Sequence, residues 1–462
     1  MRRPSFLPRG PQRPPRERSY VLRLSFPAIF ENLTATMMQI TNMIMVGGLG
    51  ASATATVAVY SAPTWVINSL VMAIGVGSTA LIARSIGARQ TEEAEAACRQ
   101  TFLLGIAAGA ALSVLTYFLA PLIPVWMHAD PALYGEATLY MRILSAGFLP
   151  YYTGIALAAA LRGAGDMATP MKVSTTASLL NIMIGFFLIY PSREISLLSL
   201  TFPMWGAGLG VRGAAIATSA TTGLSGIWLI LAAMHSKSGL RLRPKKLRPS
   251  LPLIRQLMSI GTPAALERLS ISLGQVIFIG MVASLGTAQL AAHHLVVTIE
   301  SLSYMPGYGF AAAASTLVGQ SLGAGEPQNA RMRGALAIRL CVITMSLIGV
   351  ALFLLAPWWM TLFTPDMDVR LVGASLLRIC SLEQPATALY LVSSGALRGA
   401  GETRVPFFIA FGSMGLRLIL AYVFISRLNM GTQGAWWAMG IDLWVRGILT
   451  YLCFRKGHWI GA

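Results

Sequence analysis

The sequence predicts an all-α polytopic membrane protein, with twelve transmembrane helices in two six-helix lobes related by a parallel, pseudo-twofold repeat. Three observations support this fold class. Of the 462 residues, 55% are hydrophobic and only 11% are charged, whereas roughly 25% are charged in an average soluble domain. Apolar runs long enough to cross a bilayer recur along the chain. The segment LRGAG at Leu161–Gly165 returns at Leu397–Gly401, 236 residues later.

The predicted spans follow from runs of about 20 mostly apolar residues. They cover residues 23–46, 55–83, 101–127, 137–160, 171–190, 209–234, 256–283, 290–318, 336–362, 371–396, 405–426 and 434–454. These spans divide the chain into a disordered basic cytoplasmic tail (1–19), an N-terminal lobe (20–234), a cytoplasmic linker (235–253), a C-terminal lobe (254–454) and a short cytoplasmic C-terminus (455–462).

Basic residues predict the orientation in the membrane. Lys and Arg number 35 against 17 Asp and Glu, which gives a net charge of +18. They concentrate in the tail, the central linker and the even-numbered connections, and only Arg193, Arg212, Arg370 and Arg427 lie on the opposite side. Because positively charged loops stay in the cytoplasm, both termini and the linker are predicted to face the cytoplasm of a bacterial inner membrane. The charge therefore reports topology, and we expect no nucleic-acid partner.

No cofactor or metal is expected. The four cysteines lie far apart without a CxxC motif, which indicates neither a disulfide framework nor a zinc site. His293 and His294 have no nearby metal-ligating residues in the sequence.

The repeat keeps its register over about five spans. Pro27 matches Pro263 and Glu31 matches Glu267 at the same offset as LRGAG. The offset falls to 221 when Gly213-Ala214 is matched to Gly434-Ala435, so residues near 191–208 are interpreted as a 15-residue insertion in an outer loop. Each half contains an even number of spans, so both halves insert with one orientation, as in some secondary transporters. A channel is the alternative, although no selectivity-filter pattern is visible.

Several motifs carry a resemblance to a known family. They are SFPAIFENL at 25–33, ITNMIMVGGLG at 40–50, the GAR and GAG turns at 87–89 and 323–325, both LRGAG segments, and GAAIATS at 213–219. In this order the chain resembles the multidrug and toxic compound extrusion (MATE) family over almost its whole length.

The resemblance implies a secondary active antiporter rather than an enzyme. It would export amphipathic, often cationic compounds in exchange for H⁺ or Na⁺ through alternating access of the two lobes. It would act as a monomer whose other partner is the lipid bilayer. A lipid-linked precursor flippase of the same wider superfamily is the alternative, with a strongly basic cavity and often extra spans. An integral-membrane enzyme would need a cluster of catalytic side chains, which five histidines do not supply.

The chain departs from the family at its usual acidic positions. Many members carry Asp where this chain has Asn42, and another branch adds Asp where it has Gly185, four residues after Asn181. Members with acids in spans 7 and 10 place them at the positions of Ile271 and Thr387. The usual coupling residues therefore cannot be transferred to this sequence by matching.

Other carboxylates become candidates, because ionisable groups inside a span are costly and most often functional. Glu267 precedes Ile271 and Glu383 precedes Thr387 by one helical turn, on nearly the same helix face. Glu31 precedes Asn42 by about three turns, again on one face. Removing a carboxyl group from water favours its protonated form, which suits proton coupling. The predicted substrate or ion-coupling residues are Glu31, Glu267, Glu383, Asn42, Asn181 and Arg417.

Internal ion pairs that only fix helix packing are the alternative role. Asp442 and Arg446 are spaced i,i+4 and are expected to neutralise each other. Arg417 could pair with Glu383 or with Glu300. Pro27 and Pro263 weaken spans 1 and 7 and are candidates for gating by helix bending, with simple packing as the alternative.

Overall fold

The computed structural model describes residues 14–197, 200–236, 240–243 and 247–460. Within these residues the chain forms long helices and one antiparallel two-stranded sheet. The first half contains α1 (Pro14–Gly47), α2 (Ala51–Gly87), α3 (Thr91–Leu119), α4 (Ile123–Trp126), α5 (Tyr134–Ala146), α6 (Phe148–Gly163), α7 (Ala168–Ile189), β1 (Pro191–Leu197), β2 (Leu200–Ala207) and α8 (Gly210–Met234). The second half contains α9 (Leu251–Ala283), α10 (Thr287–Ser303), α11 (Met305–Gly323), α12 (Pro327–Phe363), α13 (Met367–Gly399), α14 (Arg404–Tyr422) and α15 (Gly431–Lys456).

Two spans are each built from two helices. The α5 and α6 pair bends by 52° around Gly147, and Tyr304 separates α10 from α11. With each pair counted as one span and the four-residue α4 set aside, the helices form two sets of six, which confirms the predicted fold class. Among the described residues, seven helices are long and apolar enough to cross a bilayer by composition alone, or eight with the α5 and α6 pair. Some of the polar side chains described below lie in the remaining spans.

The LRGAG motif has the same structural role in both halves. Gly163 and Gly399 lie against the neighbouring helix, where an added Cβ would come within 2.8 Å of the Thr79 carbonyl oxygen and 2.1 Å of the Ser315 carbonyl oxygen. Gly165 and Gly401 then turn the chain at φ +89° and +85°, a region that glycine enters without steric cost. The motif therefore packs the end of a helix closely against a neighbouring helix and begins the turn that follows.

The predicted insertion near 191–208 forms the β1–β2 hairpin, in which Pro191 pairs with Ala207 and Leu197 pairs with Leu200. Its strands were not predicted. We call this end of the molecule the hairpin side. The opposite end, where the central linker joins α8 to α9, is the linker side.

Residues 14–19 are helical, so the predicted boundary of the tail at residue 19 lies too late in the chain. Glu17 explains the early start of α1, because its carboxylate binds the Arg333 guanidinium of α12 through two hydrogen bonds of 3.1 Å each. Both side chains are buried. Val21 and Leu24 continue this contact into the core of the second lobe. Residues 1–13 lie outside the described part of the chain.

The described residues of the central linker, 240–243 and 247–250, pack on the first lobe. Leu240 and Leu242 are buried in a cluster with Cys98 and Ala233. The Gln100 side chain of α3 donates a hydrogen bond to the Arg248 carbonyl oxygen and accepts one from the Ser250 amide. These contacts hold the described linker residues against α3 and α8.

The two lobes meet on the linker side through backbone surfaces lined by glycine. An added Cβ would come within 2.0 Å of the Gln320 carbonyl oxygen at Gly87, and within 1.9 Å of the Arg84 carbonyl oxygen at Gly323. Both contacts join α2 to α11 and are related by the repeat. At a third contact, a Cβ on Gly261 of α9 would lie 1.9 Å from the Ala73 carbonyl oxygen of α2. Only residues without side chains allow the lobes to approach so closely.

Candidate functional site

Two glutamate–arginine pairs occupy equivalent positions in the lobes. In the first lobe, Glu31 of α1 lies 3.2 Å from Arg162 at the end of α6. In the second lobe, Glu267 of α9 lies 2.9 Å from Arg398 at the end of α13. Both arginines belong to LRGAG, and the 236-residue offset relates both the acids and the bases. These partners were not predicted from the sequence, where basic residues of the even-numbered connections indicated membrane topology. Their offset, shared with the glutamates, was the available signal.

The two pairs differ in their surroundings. The Glu31 side chain is 18% exposed, whereas the Glu267 side chain is 1% exposed. The Tyr390 hydroxyl donates a hydrogen bond to Glu267 Oε1, and the equivalent position in the first lobe is Gly154. The second Glu267 oxygen, Oε2, has no hydrogen-bond partner among the described residues. The second lobe therefore holds its pair in a drier site with one added donor.

The Arg162 pair adjoins the interface between the lobes. The Thr316 hydroxyl of α11 donates to the Arg162 carbonyl oxygen at 2.9 Å. The Gln320 side-chain amide, one turn further along α11, donates to the Gly163 carbonyl oxygen at 3.1 Å. The end of α6 is thus held by Glu31 from its own lobe and by α11 from the other lobe.

Asn42 and Asn181, which the sequence analysis selected together, are in contact. The Asn42 side-chain amide donates to Asn181 Oδ1 at 2.8 Å, and the Asn181 amide donates to the Thr221 hydroxyl at 3.0 Å. Gly185 has no side chain and so adds no polar group beside them. The Met45 methyl group lies 3.3 Å from the point that a Cβ there would occupy. This polar group in the first lobe is therefore uncharged.

The equivalent site of the second lobe is charged. Arg417 stands at the position of Asn181 and lies 2.6 Å from Asp442 of α15, while its guanidinium sits 5.7 Å from the centre of the Phe278 ring. The predicted pairing of Arg417 with Glu383 or Glu300 is therefore wrong, because Asp442 is nearer and offers a buried carboxylate. Arg446 lies 2.8 Å from the same carboxylate, which confirms the predicted Asp442–Arg446 pair and adds Arg417 to it.

Glu383 lies apart from these pairs. It is 1% exposed, and among the described residues no donor group binds either carboxylate oxygen; its hydrogen-bonding neighbour is the Glu300 carboxyl group, with which it can share a proton. One oxygen of Glu383, one oxygen of Glu300 and the Cys380 sulfur all lie within 4.8 Å of one another. Glu300 is buried at the end of α10, where it accepts a hydrogen bond from the Tyr304 hydroxyl. Grouping these three residues required the fold, because Glu300 lies on a different helix from Cys380 and Glu383.

The structure also places four other residues considered from the sequence: Thr387, Pro27, Pro263 and His293. The Thr387 hydroxyl donates back to the Glu383 carbonyl oxygen at 3.1 Å. Pro27 lies inside α1 and Pro263 inside α9, and their role in gating stays a prediction. His293 is buried and packs its ring against Phe278 and Trp436.

The MatE protein family matches this chain over residues 27–187 and 263–423. Both ends of the second match lie 236 residues after those of the first, so the family unit is the repeat itself, present twice. The chain belongs to the MatE family. As a MatE-family protein it is a multi-pass membrane transporter and not an enzyme.

Curated relatives of this MatE-family chain match almost its whole length. The "Probable multidrug resistance protein NorM" of Thermotoga maritima is 27% identical over 456 residues, which cover 98% of this chain and 95% of the relative. The "Uncharacterized transporter YisQ" of Bacillus subtilis is 25% identical and covers 95% and 94%.

Solved structures share the fold. One described as the outward-facing conformation of a multidrug resistance MATE family transporter of the MOP superfamily superposes with a TM-score of 0.88 at 23% identity, over 95% of each chain. A MOP superfamily transporter from Pyrococcus furiosus gives 0.86 at 23% identity, over 96% and 97%. The two-lobe arrangement is common to these proteins.

Proposed function

We propose that this MatE-family protein is a secondary active antiporter that exports amphipathic, often cationic compounds in exchange for H⁺ or Na⁺, by alternating access of its two lobes. The names of the NorM relatives support the substrate class. The coupling ion would be its only required inorganic partner. We further propose a monomer in a bacterial inner membrane with both termini and the central linker in the cytoplasm, as the distribution of basic residues favours.

The observation that carries the proposal is the unpaired buried carboxyl group of Glu383. Two anionic carboxylates without a cation are costly at a site removed from water, so Glu383 and Glu300 require a proton or a metal cation between them. A group that must hold such a cation, and that changes its access to water as the lobes move, can exchange it across the membrane. Glu383, with Glu300, is therefore the proposed coupling group.

The other predicted acids fit this role less well, because each is bound to arginine. Glu31 is bound to Arg162 and Glu267 to Arg398. A carboxylate whose charge is already balanced by a guanidinium needs no further cation beside it. We propose that these two pairs fix the ends of α6 and α13 against α1 and α9. Because α11 binds the end of α6, the Glu31 pair would also affect the contact between α6 and α11.

A lipid-linked precursor flippase is supported less well. Such a substrate carries phosphate, which needs cations free to bind it. The interior arginines described above, Arg398, Arg417 and Arg446, each bind a carboxylate of their own lobe. Arg417 and Arg446 share the carboxylate of Asp442, so among the described residues these three arginines exceed their bound carboxylates by one charge, which falls short of a strongly basic interior.

Dye efflux from proteoliposomes tests the proposal, with a pH gradient and a Na⁺ gradient imposed separately. We expect at least one gradient to drive export of a cationic dye, and Glu383→Gln and Glu300→Gln to reduce the gradient-driven rate at least 10-fold. Glu136→Gln is the matched control, because Glu136 is exposed. Undiminished efflux in both variants would remove the assignment of the coupling group. Efflux that responds to neither gradient would contradict the antiporter itself.

A further inference from the structure

We infer that Glu300, Cys380 and Glu383 form a binding site for one divalent transition-metal cation of the zinc class. The site goes beyond the proposed export function, because metal binding here requires neither a gradient nor a transported compound. It uses two residues of the proposed coupling group and adds a thiol that coupling by H⁺ or Na⁺ does not need.

The geometry brings three different ligand atoms together. Cys380 and Glu383 are three residues apart on α13 and so lie on one face of that helix. Glu300 reaches them from the last turn of α10, beside the break at Tyr304. The three ligand atoms lie within 4.8 Å of one another. A zinc ion bound at about 2.0–2.3 Å in tetrahedral geometry sets its ligands roughly 3.3–3.8 Å apart, so small side-chain rotations close the site.

A second observation points to a ligand. Glu383 is 1% exposed and directs into this group a carboxylate that no donor group outside it binds among the described residues. Buried carboxylates in proteins are paired or coordinate metals. The Arg417 guanidinium, which acts on Glu383 electrostatically, is held by Asp442 and by Gln275 at 3.1 Å. A bound cation would satisfy the Glu383 carboxylate where the protein supplies no partner.

Neighbouring side chains are placed to orient the ligands. The Tyr304 hydroxyl donates to Glu300. The Gln384 amide donates to the Cys380 sulfur at 3.5 Å. Hydrogen bonds of this kind fix ligand orientation around metal ions and strengthen binding.

The donor set selects the class of ion. A thiolate favours zinc-like cations, whereas Na⁺, Mg²⁺ and Ca²⁺ prefer sites made only of oxygen. Three protein ligands leave a fourth position open, which allows reversible binding. The equivalent positions in the first lobe are Thr64, Leu144 and Gly147, so the protein should bind one ion rather than two.

Titration of the purified protein with Cd²⁺ tests the inference, followed by the ultraviolet absorbance of the cadmium–thiolate bond. We expect one ion per chain. Cys380→Ser should abolish the absorbance, and Glu383→Gln or Glu300→Gln should weaken binding at least 10-fold. Cys341→Ser is the matched control, because Cys341 is also buried but lies on α12 among apolar residues; it should leave the titration unchanged.

An absent thiolate signal in the unmodified protein, or a signal that persists in Cys380→Ser, would overturn the site. Unchanged affinity in both glutamine variants would do the same. Cys380→Ala and a thermal unfolding curve of each variant separate lost binding from lost folding. Because the titration uses no gradient and no dye, its failure would leave the export proposal standing, and failed efflux would leave the metal site standing.

Discussion

Asn181 and Arg417 occupy equivalent positions in the two lobes, and each binds the last helix of its own lobe at the same point. Asn181 donates to Thr221 at 3.0 Å, and Arg417 lies 2.6 Å from Asp442. Thr221 and Asp442 are 221 residues apart, the offset that holds after the hairpin. Arg446 likewise stands where the first lobe has Ser225. One scaffold therefore carries a neutral network in one lobe and an ionic network in the other.

This relationship can be tested by transplanting the neutral network. Asp442→Asn alone leaves two buried arginines without a carboxylate, which should lower the free energy of unfolding by about 3–5 kcal/mol. The triple variant Arg417→Asn, Asp442→Thr and Arg446→Ser removes every charge together and should lose less than half as much. Thermal unfolding in detergent provides the comparison. A triple variant less stable than Asp442→Asn would contradict the equivalence.

The two glutamate–arginine pairs should differ in energy. Arg398→Ala strands the Glu267 carboxylate, which is 1% exposed, and should cost about 3–5 kcal/mol. Arg162→Ala leaves the Glu31 carboxylate, which is 18% exposed, and should cost about 1 kcal/mol or less. Chemical unfolding of both variants in one detergent measures the difference, and equal losses would show that burial does not separate the pairs.

Tyr390 should strengthen only the second pair. Tyr390→Phe keeps the ring under Arg446, which lies 5.1 Å from its centre, and removes the hydroxyl that binds Glu267. A hydrogen bond to a charged group contributes about 1.5–3 kcal/mol, so we expect a loss in that range. In a protein that already carries Glu267→Ala, the Tyr390→Phe change should cost almost no further stability. If the two losses add instead, the Tyr390 hydroxyl does not act through Glu267.

The glycine contacts on the linker side should set how closely the lobes approach. Gly323→Ala and Gly87→Ala place a methyl group against the backbone of the other lobe and should move the lobes apart. Spin labels at Ala88 and Ala324, both exposed, report the distance in a background with Cys453→Ser. Gly280→Ala is the control, since nothing lies within 4 Å of an added Cβ there. A longer distance in the control as well would refute a role specific to this contact.

Glu17 should stabilise the join between α1 and the second lobe. Glu17→Ala leaves the buried Arg333 unpaired and should lower the free energy of unfolding by about 3–5 kcal/mol. Glu92→Ala, at an exposed position, should change it by less than about 0.5 kcal/mol. If the two variants unfold at the same temperature, the Glu17–Arg333 pair does not hold α1 on the second lobe.

The sequence was sufficient for the architecture, because apolar length and a fixed offset are properties of the chain itself. The twelve spans and the repeat followed from them. Helix breaks were not visible, since Gly147 and Tyr304 sit in runs that read as continuous helix. The hairpin strands were missed because their residues were recognised only as an insertion.

The site was harder to predict than the fold. Glu267 and Glu383 were selected because acids in apolar spans are conspicuous. Asn42 and Asn181 were both selected, but their contact was not predicted. The arginine partners were hidden among residues that also encode topology. The pairing of Arg417 depended on which carboxylate the fold brings nearest, and neither charge nor spacing along one helix determines that distance.

The β1–β2 hairpin gives an almost symmetrical molecule one distinguishing mark. A protein with two similar lobes and little mass outside the bilayer offers few cues for orienting particle images, because a half-turn about its axis nearly reproduces it. A sheet present on one lobe alone breaks that degeneracy, with Trp205 exposed on its second strand. A nanobody raised against this hairpin would serve as a fiducial that identifies the lobe and the membrane face in every projection.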